Sequence, residues 1–190
     1  LLWGGVLRVT LVHHFTFFIN SFCHLLGKKN YEFHTTAKDS WLMAFFTFGE
    51  GYHNYHHKFQ WDYRNGIKWY NFDPGKWIIK ILSFFKVTYS LKKASNYNII
   101  KARVDTLNEK IKSISENVNF TEVYKKQVKG ITENITKNLD LWKKIEMKYN
   151  LSKNIKLEKD IYKQKVKLYK VEIQNSFTTL MVIFINMKNL

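Results

Sequence analysis

A chain of 190 residues that is 45% hydrophobic and 17% aromatic is too apolar to remain disordered, and its 31 Lys and Arg against 15 Asp and Glu give a formal charge of +16. One Cys excludes an intramolecular disulfide framework and any multi-cysteine zinc site, so metal chemistry must draw on His, Asp or Glu. Only three of the cations are Arg, and with 17 Asn and 17 Ile the lysine excess reads as codon bias; nucleic acid, which favours Arg forks, is discounted in favour of an anionic membrane surface.

The sequence opens on Leu1 inside an apolar run, so the chain is expected to start within a longer protein. Residues 1–26 lack Pro and are long enough, at about 1.5 Å per residue, to cross a hydrocarbon core of about 30 Å. Arg8, His13, His14, Asn20 and His24 interrupt that run, and ionisable groups in a membrane segment point to function because burying them is costly. Lys28, Lys29 and Lys38 follow, which places the His24 end on the cytoplasmic side. A short apolar run at 41–48 ends in Gly49-Glu50-Gly51, and 52–59 reads as helical. Asp73-Pro74 fits a helix start with Asp as cap, opening a basic amphipathic helix that suits either a membrane interface or packing against another domain.

Composition changes near residue 100. The first 100 residues hold all seven His and five of the six Trp, whereas the remainder has one Trp and one Gly and is lysine-rich. Apolar residues keep a three-four spacing at Val104, Leu107, Ile111, Ile114 and Val118, then in shifted register from Val128 to Tyr149 and again from Leu157 to Val171. Broken heptads of this kind predict a coiled coil or a helical hairpin, and self-association or docking through it. The expected fold is therefore all-α: a membrane helix, histidine-bearing cytoplasmic helices, and a helical extension over 96–190.

The chemistry is concentrated in Glu50-Gly51-Tyr52-His53-Asn54-Tyr55-His56-His57. Positions i, i+3 and i+4 share a helix face, so His53, His56 and His57 project toward one volume, either as a metal-binding set or as an exposed polar stripe. Glu50 is placed to accept a second ring proton and fix a tautomer. His13, Thr16, Asn20 and His24, spaced by three, four and four, form a polar stripe on the first helix that must face a cavity or other protein, and its Asn20–His24 end is positioned to meet the triplet. His14 lies off this stripe, Cys23 reads as a small buried side chain, and His34 is assigned no role.

Asn20-Ser21-Phe22-Cys23-His24 with Gly27, the run from Gly49 to His57 with Phe59, Asp62 and Tyr63, the Trp69–Trp77 stretch and Leu91-Lys92-Lys93 together resemble the last part of membrane fatty-acid desaturases of the stearoyl-CoA (delta-9) type. The resemblance covers residues 1–95 and implies a diiron enzyme that uses oxygen and two external electrons to place a cis double bond in a saturated acyl chain. It implies His24, His53, His56 and His57 as iron ligands, Asn20 as a ligand through water, and Thr16 as a residue shaping the acyl tunnel. Phe17 stands where the family usually has Trp. It further implies an acyl-CoA or acyl-lipid substrate and a separate ferredoxin or cytochrome b5-type electron donor. The family's first two histidine boxes are absent from these residues, so the chain alone is expected to be inactive. A related membrane diiron hydroxylase and a membrane-tethered coiled-coil scaffold are the alternatives.

Overall fold

The computed structural model describes residues 2–117, 122–151 and 156–188. Seven helices follow in order: α1 (Leu2–Leu25), α2 (Trp41–Phe46), α3 (His53–Lys58), α4 (Pro74–Phe84), α5 (Asn96–Asn117), α6 (Glu122–Leu151) and α7 (Lys156–Lys188). Among the described residues no strand forms, and the only ladder contacts are the isolated bridges Lys28–Asp39 and Asp39–Tyr52. The all-α expectation holds. Val118, one of the heptad positions, lies outside the described residues.

The chain forms two compact units, Leu1–Thr106 and Leu107–Leu190. The first unit carries every histidine. Its α1 is long and apolar enough to span a membrane, and of its side chains only Cys23 is buried within the chain. Hydrocarbon removes the cost of so much exposed apolar surface, which water would impose.

The loop after α1 turns back on itself at Gly27, whose φ of +126° lies in the left-handed region. A Cβ there would overlap the Asp39 carbonyl oxygen, so the Lys28–Asp39 bridge requires glycine. Ser40 then caps α2 by accepting the Met43 N–H. Gly51 packs directly on the Ala44 backbone, where a Cβ would collide, and this close approach seats the turn that leads into α3 on α2.

Asp73 begins α4 as the Asp-Pro pair predicts: Oδ1 accepts the Lys76 N–H at 3.0 Å, and Oδ2 accepts the N–H groups of Asn65 and Gly66. Lys76 is buried and donates to the carbonyls of Gly66, Lys68 and Asn71, which closes the 66–71 loop. Ile78, Ile81, Phe84 and Phe85 remain exposed along α4 beside Lys80.

Below α3 lies a core of Tyr55, Phe59, Ala94, Ile99 and Ala102. Thus 96–106, read from composition as the start of an extension, packs with the histidine-bearing unit. Asp62 anchors this region, accepting from Tyr55 Oη at 2.7 Å, from Ala94 N–H at 2.8 Å, and from the Arg64 guanidinium through both oxygens. In the second unit α6 packs along α7, with Ile135, Leu139, Trp142, Ile173 and Leu180 buried, and the Lys170 ammonium sits 4.9 Å from the Trp142 ring centre.

Candidate metal centre

Two segments far apart in sequence supply the centre. His24 stands in the last turn of α1, and His53 and His57 lie four apart on α3. One ring nitrogen from each of the three lies within 4.8 Å of the others. The His53 and His57 Nε2 atoms are 3.2 Å apart, and the His24 ring sits edge-on to His53 at 5.1 Å.

His56 is set apart from this group. Its ring lies 6.3 Å from His53 and 6.2 Å from His57, no farther than His24 lies from His57 at 6.3 Å, but its nitrogens do not join the three that lie within 4.8 Å of one another. Helix geometry accounts for the spread: relative to His53, His57 is rotated by about 40° one way and His56 by about 60° the other, and His24 approaches on the His57 side.

The centre suits a metal on chemical grounds. His53 is 8% exposed, yet its Nδ1 is buried without a hydrogen-bond partner. Its other nitrogen, Nε2, faces His57 Nε2 at 3.2 Å, so imidazole nitrogens of His53, His57 and His24 are turned to one small volume, a donor set that suits a transition-metal ion. Burial, reinforced by the neighbouring His57, His24 and His56, pushes the His53 ring down to about 4, and burial also lowers His57. Both rings are thus held toward the neutral, lone-pair-bearing form that binds metal.

Asn20 lies one turn before His24 and is exposed, as are Thr16 and Phe17 farther up α1. Thr16 bonds back to the Val12 carbonyl of its own helix. The Glu50 expectation is corrected: its Oε1 accepts from Asn65 Nδ2 at 2.8 Å, leaving His53 Nδ1 unsupported. The loop between Gly49 and α3 turns the carboxylate toward the 62–66 segment rather than toward the imidazoles.

The structure adds partners that spacing does not reveal. Thr36 Oγ1 lies 2.7 Å from His24 Nδ1, so a hydroxyl orients that ring. Tyr52, the residue preceding α3, makes no side-chain cap, and Asp39 replaces it by accepting the Tyr55 N–H at 3.0 Å. Burial raises the Asp39 carboxyl to about 6 against that bond and one from Asn30. Thr36 and Asp39 both lie in the loop between α1 and α2, where no periodic pattern marks them.

No family model matches the chain. It is 42% identical over 123 residues to acyl-CoA desaturase 1 of Saccharomyces cerevisiae, covering 65% of this chain and 24% of that protein. It is 42% identical to a probable acyl-CoA desaturase of Schizosaccharomyces pombe, over 55% of this chain and 24% of that protein. To the sn-1 stearoyl-lipid 9-desaturase of a Synechocystis species it is 37% identical, over 48% of this chain and 29% of that protein. The chain therefore spans about a quarter of the length of these curated relatives.

Proposed function

We propose that this relative of the acyl-CoA and acyl-lipid desaturases is the histidine-bearing carboxyl-terminal part of a membrane fatty acyl desaturase. The observation that carries the reading is the convergence of His24 with His53 and His57 in a chain similar to those enzymes. When bound, a pair of iron ions with oxygen and two external electrons supplies the chemistry that removes two hydrogens from a saturated acyl chain and leaves a cis double bond.

His24, His53 and His57 hold iron, and His56, displaced around α3, is free to serve the second ion. Asn20 contributes through a water. Thr16 and Phe17, on the exposed face of α1, shape one wall of the acyl tunnel, and the remaining wall and ligands come from residues beyond this chain. The tunnel's task is to exclude water and present one carbon to the irons. The lysines after α1 support a cytoplasmic position for the centre, with a ferredoxin or a cytochrome b5-type carrier on that side as the proposed electron donor.

The test is to express the full-length protein and its His57→Ala variant in cells lacking their own desaturase and to analyse cellular fatty acids by mass spectrometry. A monounsaturated product that disappears in the variant is expected. A hydroxylated product would reassign the reaction to a hydroxylase, and unchanged fatty acids would overturn the reading.

A further inference from the structure

We propose that Asn54, whose side-chain hydrogen bonds all go to the backbone and none to an imidazole, is the positioning residue that fixes His24 against His53 and His57, an inference that rests on the metal-site reading above. Asn54 lies between the histidines on α3 and is fully buried. Its Oδ1 accepts three successive backbone N–H groups, from Asn30, Tyr31 and Glu32, at 2.9, 2.7 and 3.2 Å. Its Nδ2 donates to the carbonyls of Glu32 and Ala37 at 2.8 and 3.0 Å. Five main-chain contacts from one side chain grip the loop that leaves α1 immediately after His24.

The loop is also fastened to the end of α1. Lys38 N–H donates to the Cys23 carbonyl at 2.7 Å, Lys38 Nζ to the Leu25 carbonyl, and Lys28 and Asp39 exchange both backbone hydrogen bonds. The same loop carries Thr36, which bonds the His24 ring, and Asp39, which caps α3. Asn54, together with Lys58, whose ammonium pairs with Glu32 of the same loop at 2.6 Å, thus ties the helix bearing two of the three converging histidines to the loop that positions the third. Only a primary amide makes the five contacts of Asn54, because the loop presents three donors to one atom and two acceptors to the other. A carboxylate keeps the acceptor but turns an oxygen toward the Glu32 and Ala37 carbonyls, and an aliphatic side chain leaves all five groups unpaired.

The experiment compares the full-length protein with its Asn54→Asp, Asn54→Leu and Lys76→Met variants, measuring iron per chain, Mössbauer spectrum and melting temperature. Lys76→Met is the control for stability alone, since Lys76 also gathers loop carbonyls but lies in the 66–76 segment away from the imidazoles. The Asn54 variants are expected to lose roughly tenfold or more in iron affinity, as for other residues that orient metal ligands, with an altered spectrum for the iron retained. Lys76→Met should melt earlier with its spectrum unchanged. If Asn54→Leu fails to accumulate, Asn54→Asp decides. Wild-type iron content and spectrum in Asn54→Asp, with only a lowered melting temperature, would overturn the inference and leave the metal centre standing. Absence of iron from the wild-type protein itself would overturn the metal-site reading, and this inference with it.

Discussion

Thr36 shows how much of a metal centre is decided by a single hydroxyl. Its Oγ1 contact fixes which nitrogen of His24 is free to bind, because the other is engaged at 2.7 Å. Thr36→Val keeps the shape and removes the bond, and should lower metal affinity about 10- to 100-fold by titration of the full-length protein. Asp62 gives a pH test independent of the histidines. Burial alone would raise its pKa, but hydrogen bonds from Arg64, Tyr55 and the Ala94 N–H outweigh burial and hold the carboxyl below its ordinary 3.8. The folded state therefore binds fewer protons there than the unfolded state. The contribution to stability is complete above about pH 4 and is lost as pH falls through the depressed value. Asp62→Asn should flatten the acid limb of a stability-versus-pH curve and destabilise by about 1–3 kcal/mol near neutrality, since it leaves the half-buried Arg64 without its charged partner. Residues such as Thr36, Asp39 and Asn54 were not legible in the sequence. Their contacts join positions 12 to 24 apart through an irregular loop, and neither helical nor strand periodicity marks such pairs.

At the scale of elements the legible features were those with local causes. The Asp73-Pro74 start of α4 follows from cap chemistry, and α3 follows from the compact run after Gly51. That His53, His56 and His57 do not all converge was not legible, because a shared helix face is broad and the direction from which His24 arrives is a tertiary fact. Asp73→Ala should cost about 1–2 kcal/mol for the cap and more for the stranded N–H groups of Asn65 and Gly66, read as a lowered denaturation midpoint. Gly51→Ala should push the turn before α3 away from α2, because the added Cβ meets the Ala44 backbone rather than a side chain that can swing aside. The expected cost is about 1–3 kcal/mol or more, with a matching loss of bound metal.

At the scale of the molecule, the second unit contains no histidine, and its buried Trp142, Ile135 and Leu180 form a core of their own. Removing α6 and α7 after Asn117 while keeping α5, whose Ile99 and Ala102 complete the core beneath α3, should leave product formation unchanged. The 190 residues expressed alone should hold at most one metal ion per chain, since only three imidazole nitrogens converge. The proposed function stands on iron held by His24, His53 and His57 in the full-length protein. Metal analysis of that protein beside its His24→Ala, His53→Ala and His57→Ala variants tests it most directly. Two irons per chain in the wild type, with iron lost from each variant that still inserts in the membrane, is the predicted result. Iron content equal in all four proteins, or absent from the wild type, would show that these histidines do not hold iron.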